Sequence, residues 1–287
     1  MSLFLLQLKN ELVKLFARKR TYLGFGGAVA AQLVFLVLWR LPVAQTAFAG
    51  ITRRSKTDFM AEYFLGLTAA QLTVTFTFLL LGGLYLALVC GDIVAKEVED
   101  GTMRMVLARP ISRMRLWTLK WLASSIYTFA LVFFIGLTSL VLATACCGGL
   151  GKLAVIYGQH PRQLMFMSTY ETGAGLLQYA KGMLLLAVVM HVVSALAFMF
   201  SCMNMKPATA TVATLAVFFL DAVIKMVPFF NVYDQWLLSY HLACWLRSMS
   251  RLTSPSDTAT SVIYLLALAA VFLAVSARRF ARRDFKP

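Results

Sequence analysis

The chain has 287 residues, of which 60% are hydrophobic and only 14% are charged, and its formal net charge at pH 7 is +15. Soluble domains usually carry about 45–50% apolar and about 25% charged residues, so this composition excludes an ordinary soluble protein. The Lys and Arg residues lie at the ends of apolar runs. The positive charge therefore favours anchoring at a membrane surface over a nucleic-acid partner.

The first predicted element is an amphipathic helix over residues 3–20. It mixes leucines with charged residues such as Lys9, Glu11 and Lys14. This mixture predicts a helix that lies in the membrane interface with its basic residues toward lipid headgroups. A frayed cytosolic tail is the alternative. The segment lacks the charged region, short apolar region and cleavage site of a signal peptide.

Six transmembrane helices are predicted from the apolar runs that follow. A helix of about 20 apolar residues crosses the hydrocarbon core, and runs of this length exclude a β-barrel with its roughly ten-residue alternation. The predicted spans are residues 22–41, 67–92, 116–146, 177–202, 207–230 and 259–277. The predicted fold class is therefore all-α, with the whole chain forming one polytopic membrane domain.

The positive charges predict that both termini are cytoplasmic. With this orientation, 17 of the 27 Lys and Arg residues lie on the cytoplasmic side, most of them next to the ends of spans. The outer segments are then 42–66, 147–176 and 231–258, which are too short for a binding domain. The third is rich in Trp and Tyr, which prefer the membrane–water boundary. We expect a short helix there, either a lid over an exit path or an interfacial anchor.

The segment 95–115, between the second and third spans, carries the most specific pattern in the chain. Acidic residues are followed by Gly101, which can close a helix, and by Thr102, which can cap a second one. That second helix must end before Pro110, and Ser112 can cap the third span. A short helix between two breaks is suited to docking a soluble partner. A solvated loop with charges near the membrane is the alternative.

Several ionisable residues fall inside the predicted spans, among them His191 in span four, and Asp221 and Lys225 in span five. Such residues are functional hypotheses by default. They can form a polar patch on a translocation path, as in a secondary, ion-coupled transporter that uses His191 and Asp221. Alternatively, Asp221 and Lys225 form an ion pair at i,i+4, and His191 makes a hydrogen bond between helices.

No enzyme motif is present in the sequence. The chain contains no G-x-x-x-x-G-K-[ST], no H-E-x-x-H and no G-x-S-x-G. Its five cysteines show no metal-ligand spacing. We therefore expect no catalytic, cofactor or metal site in this chain.

The pattern Glu97-x-x-x-Gly101-Thr102, followed by Leu107-Ala108-Arg109-Pro110-Ile111-Ser112-Arg113 and then Lys120, resembles the hallmark stretch of ABC-2 type transporter permeases. The resemblance implies the type V exporter-like fold and makes segment 95–115 the coupling helix that seats in an ATPase. The residues that it places in this role are Glu97, Asp100, Gly101, Thr102, Arg109, Pro110, Ser112 and Arg113.

The resemblance also implies partners and a mechanism. Two soluble ABC ATPase subunits would supply ATP and Mg, and a second permease subunit, identical or related, would complete a path through membrane lipid. ATPase closure would drive alternating access and export across the cytoplasmic membrane, here of a bacterium.

Overall fold

The computed structural model describes residues 3–42, 46, 65–108, 111–159, 164–227, 229, 233, 235–251 and 253–283. Within this part of the chain, six helical segments are long and apolar enough to cross a membrane, which confirms the predicted number of spans. The segments are Lys19–Arg40, Gly66–Glu99, Arg113–Cys147, Thr172–Cys202, Pro207–Lys225 and Pro255–Arg282.

Two helices open the described chain. Helix α1 (Leu3–Ala17) and helix α2 (Lys19–Arg40) are separated only by Arg18, whose backbone is extended at φ −78° and ψ 126°. Glu11 and Leu15 are the buried residues of α1, while many of its other leucines are exposed. The position of α1 in the membrane interface stays a prediction.

The second span consists of α3 (Gly66–Thr77), a π-helical turn (Phe78–Gly82) and α4 (Gly83–Glu99). A short helix, α5 (Thr102–Leu107), then precedes α6 (Arg113–Cys147). Helix α6 has 35 residues, which at 1.5 Å per residue is about 50 Å, longer than the roughly 30 Å of hydrocarbon. The ends of α6 must therefore project from the bilayer core.

A β-hairpin follows α6, an element that was not predicted for the outer segment 147–176. Strands β1 (Leu153–Gln159) and β2 (Leu164–Tyr170) pair antiparallel, with Leu153 opposite Tyr170. Their β-branched and aromatic residues favour strands. Thr68 fixes the hairpin to α3, since its hydroxyl accepts a hydrogen bond from the Ala154 amide at 3.0 Å.

The remaining helices are α7 (Thr172–Cys202), α8 (Pro207–Met226), α9 (Leu238–Leu242), α10 (Cys244–Ser248) and α11 (Pro255–Arg282). Helix α7 is the centre of the bundle, since it packs against α4, α6, α8 and α11. Its C-terminal part, from Val192 to Cys202, is almost entirely buried. A tight turn joins α7 to α8, and Pro207 lies in the first turn of α8, where a missing amide costs no hydrogen bond.

Two short helices, α9 and α10, occupy the aromatic-rich outer segment where one was predicted. Helix α10 packs on β1 and against α9. The residues that follow α10 bind the hairpin, because Tyr170 donates a hydrogen bond to the Met249 carbonyl at 2.7 Å and Ser168 bonds Ser250 at 3.2 Å. The hairpin, α9 and α10 therefore form one cap at the end of the bundle opposite α5. A lid function for this cap stays a prediction.

Candidate functional site

Gly101 makes the break between α4 and α5, as predicted. Its backbone is left-handed, with φ 71° and ψ −4°, and its amide donates to the Val98 carbonyl at 3.1 Å. Thr102 does not cap α5, so that prediction is wrong: it is the first residue of the helix. Its hydroxyl instead donates to the Glu97 carbonyl at 3.1 Å. Thr102 thus ties the start of α5 to the last turn of α4.

We expect Gly101→Val to displace α5, because a β-branched residue in the left-handed region costs roughly 1–2 kcal/mol or more. A Cβ at this position would meet no other atom within 4 Å, so the cost is conformational and not steric. Asn tolerates this region, so Gly101→Asn is the matched control. Thermal unfolding of the purified variants should show a lower midpoint for Val than for Asn. Equal midpoints would contradict the role of backbone conformation.

Ser112 begins α6 as predicted. Its hydroxyl accepts a hydrogen bond from the Arg115 amide at 3.3 Å and so caps the helix N-terminus. Arg109 and Pro110 lie outside the described residues. The two ends of α5 are therefore linked to spans two and three through short connections, one of which contains the left-handed Gly101.

A cluster of four charged residues lies beside this break: Glu11, Lys14, Glu97 and Lys120. Lys120 is fully buried, at 0% exposure. Its ammonium group lies 2.7 Å from Glu97 Oε2 and 3.0 Å from Glu11 Oε2. Lys14 lies 2.8 Å from Glu11 Oε1 and 4.0 Å from Glu97 Oε1. The charges of the two carboxylates and the two ammonium groups thus cancel. The cluster joins α1, α4 and α6.

Burial alone would favour the neutral forms of these groups. Burial raises the pKa of Glu11, but the charge of Lys120 and the hydrogen bond and charge of Lys14 outweigh it and hold that pKa below its usual 4.5. Glu11 is therefore ionised at neutral pH. Since a buried charge whose partner is removed is strongly destabilising, each member of the cluster holds the others in place.

A second ion pair supports the same region. Arg20 at the start of α2 lies 2.9 Å from the buried carboxylate of Asp92 in α4. By contrast, Asp100 makes a local pair with Lys96 at 3.2 Å, and both side chains are substantially exposed. Exposed pairs of this kind contribute little. Asp100 therefore does not belong to the buried cluster, and its role in ATPase coupling stays a prediction.

Arg113 connects the start of α6 to the C-terminal end of α11. Its guanidinium donates to the carbonyls of Ala281 and Arg283 at 3.0 and 3.1 Å. Arg283 in turn donates to the Met203 carbonyl at 2.8 Å, at the end of α7. These bonds satisfy carbonyls that are left without partners at helix C-termini. On the side of the bundle that carries α5, these hydrogen bonds therefore join the ends of spans three, four and six.

The polar residues inside the spans contact different neighbours. The His191 ring packs against Trp121 and Phe129, with centroids 4.7 and 5.6 Å away. The Asp221 carboxylate accepts hydrogen bonds from the amides of Leu238 and Ser239 at 2.9 and 2.6 Å, at the start of α9.

The i,i+4 ion pair, which was the alternative to a translocation path, does not form. Among the residues that the structure describes, no ion pair joins Asp221 to Lys225. Asp221 instead holds α9 in the cap, which the sequence did not indicate. A translocation path along His191, Asp221 and Lys225 stays a prediction.

Sequence reasoning did not assign Glu11 and Lys120 to a common site. They lie 109 positions apart, and no periodicity relates them. One signal was present: Lys120 is a cation about two turns inside the long helix that begins at Arg113. Since such a residue needs a partner, it could have been singled out.

The family model described as "ABC-2 family transporter protein" matches residues 26–285. This chain belongs to the ABC-2 transporter family. The match covers nearly the whole chain and confirms the resemblance found in segment 95–115. No protein with a curated description matches the chain. As an ABC-2 family member with six apolar helices, the chain is a multi-pass membrane subunit of a transporter and not itself a catalyst.

Proposed function

We propose that this ABC-2 protein is the permease subunit of an exporter in the cytoplasmic membrane, with both termini cytoplasmic. A separate soluble ATPase docks on α5 and supplies the ATP and Mg chemistry. The observation that supports this most strongly is the link from α5 to the bundle. The Thr102 hydroxyl bonds the Glu97 carbonyl, and the Glu97 carboxylate lies against buried Lys120.

A force applied to α5 would be transmitted directly to the membrane-spanning helices. Met103 is 1% exposed and anchors α5 to the protein, whereas Met105 is 67% exposed and faces away. The anchored face transmits motion, and the exposed face is free to contact a partner. Because the charged cluster joins α1, α4 and α6, a displaced α5 would move these helices together rather than one of them.

The remaining steps follow from this arrangement. Two such permeases, identical or related, line a path at their interface, and each carries one ATPase. Closure of the two ATPases on ATP draws the two α5 helices together and turns the path from inward to outward access. The cap made of the hairpin, α9 and α10 lies where a substrate would leave.

An ion-coupled carrier is the competing function. It would need Asp221 to bind or release an ion. Both carboxylate oxygens of Asp221 already accept backbone hydrogen bonds that begin α9. This engagement favours a structural role for Asp221 and so favours the ATP-driven exporter.

Labelling of Met105→Cys tests both the orientation and the docking. In a chain whose five native cysteines are replaced by alanine, we expect a membrane-impermeant thiol reagent to label this position in inverted vesicles and not in intact cells. Addition of the partner ATPase should protect Met105→Cys and leave Met114→Cys, a nearby control, reactive. Labelling from outside the cell would refute the proposed orientation, and equal labelling with and without ATPase would refute docking on α5.

A further inference from the structure

An open basic groove of ≈ 820 Å³ lies on the side of the bundle that carries α5. Its walls are the turn between α7 and α8 and the last two turns of α11. One part of the lining is apolar and the other is basic. The apolar part is Met203, Met205 and Val275, and the basic part includes Arg278, Arg279 and Arg282.

The groove is held open by contacts of the protein itself. Arg283 joins its two walls, because the guanidinium donates to the Met203 and Cys202 carbonyls at 2.8 and 3.3 Å. Arg113 holds the end of α11 through the Ala281 carbonyl at 3.0 Å. These contacts within the protein position the walls, so little ordering is required when a ligand enters.

The charge in the groove is not compensated within the described part of the chain. Arg278, Arg279 and Arg282 are exposed, and no ion pair with an acidic side chain is present for any of them there. Arg278 and Arg282 are four residues apart on one helix face, where like charges repel. An anion between them would remove this repulsion, and guanidinium groups bind phosphate oxygens in a bidentate manner.

The depth of the arginines identifies the anion. Helix α11 is apolar from Val262 to Ala277, and the arginines begin at the next residue, so they lie at the depth of lipid headgroups. Val275, one turn before the arginines, lies at the depth where acyl chains begin.

We propose that this groove binds one anionic phospholipid, with its phosphate on Arg278 and Arg282 and its first methylene groups along Val275 and Met203. Basic pockets between membrane helices bind anionic headgroups in this way. The inference rests on the proposed function in one respect only: the proposed orientation decides which leaflet supplies the lipid. Its occupant would tie the ends of α7 and α11 to the bilayer.

Native mass spectrometry of the purified protein with an equimolar mixture of phosphatidylglycerol and phosphatidylcholine tests the site. We expect the wild-type chain to retain phosphatidylglycerol preferentially. The double variant Arg278→Gln/Arg282→Gln should lower the ratio of bound phosphatidylglycerol to phosphatidylcholine by on the order of tenfold, since each basic residue attracts anionic lipid. The control Lys9→Gln/Lys19→Gln removes two exposed charges from the N-terminal region. Their attraction for headgroups is diffuse, so this variant should lower the ratio much less than Arg278→Gln/Arg282→Gln does.

Several outcomes would overturn the site. Equal losses in both double variants would show only diffuse attraction between the basic surface and the membrane. Displacement of the lipid by excess inorganic phosphate would show a free-anion site. Normal lipid retention with lost ATPase binding in Arg278→Gln/Arg282→Gln would assign the groove to the ATPase. ATP hydrolysis by the reconstituted wild-type complex is measured separately, so a failure of the proposed exporter function is distinguished from a failure of the lipid site.

Discussion

Replacing Lys120 with methionine is expected to lower the free energy of unfolding by about 3–5 kcal/mol, the usual cost of breaking a buried ion pair. Lys120 is the buried cation 2.7 Å from Glu97 and 3.0 Å from Glu11. Methionine has a similar length but no charge, so the two carboxylates would face each other with only the more exposed Lys14 between them. Thermal unfolding of the purified protein in detergent measures the change.

Lys96→Met is the matched control. Lys96 also pairs with two carboxylates, those of Glu99 and Asp100, at 2.8 and 3.2 Å. Its surroundings are exposed, so water replaces the lost contacts and the unfolding midpoint should not change measurably. Equal midpoint shifts in Lys96→Met and Lys120→Met would contradict the special role of the buried cluster.

A second substitution separates the ion pair from simple packing loss. Adding Glu97→Gln to Lys120→Met removes one of the two carboxylates left without a partner. The double variant should therefore be more stable than the sum of the two single effects predicts, because residues in one network couple by about 0.5–3 kcal/mol. Additive effects would mean that Lys120→Met acts through lost packing alone.

Local signals in the sequence were sufficient to predict the helices and the break at α5. Gly101 has the left-handed conformation expected of a residue that closes a helix, and Ser112 caps α6. These features depend on a few neighbouring residues. The helices extend past several predicted spans, as at Glu99 where 92 was predicted. An apolar run marks only the residues that lie in the hydrocarbon core. The helix itself continues into the headgroup region until its backbone is capped.

Contacts between distant parts of the chain were not predictable from one sequence. The Glu11–Lys120 contact joins residues 109 positions apart, and the Asp221 contact with Leu238 crosses from a span into the cap. In both cases the charge itself was visible, but its partner is decided by how helices pack. The hairpin was missed for a related reason: its strands are seven residues each, and short strands have only weak local signals.

Replacing Met105 with glutamate is expected to weaken binding of the partner ATPase by at least about 30-fold, the loss typical of a central interface residue. Met105 is 67% exposed on α5, while Met103 on the same helix is 1% exposed and packs inward. An apolar residue exposed on the docking helix would be buried by the ATPase, and a carboxylate buried there would lack a partner. Because the side chain is exposed in the permease, its unfolding midpoint should not change.

Met114→Glu is the control that distinguishes a docking helix from a generally apolar surface. Met114 is also exposed, at 43%, but it lies on α6 beyond the second break. If α5 is the element that seats in the ATPase, Met114→Glu should bind nearly as well as the wild type in a titration of nanodisc-embedded protein with purified ATPase. If both variants weakened ATPase binding equally, the ATPase would contact the whole membrane-proximal surface and not α5 alone. If Met105→Glu bound the ATPase with unchanged affinity, α5 would not be part of the interface. The link through Thr102, Glu97 and Lys120 would then contribute to stability alone.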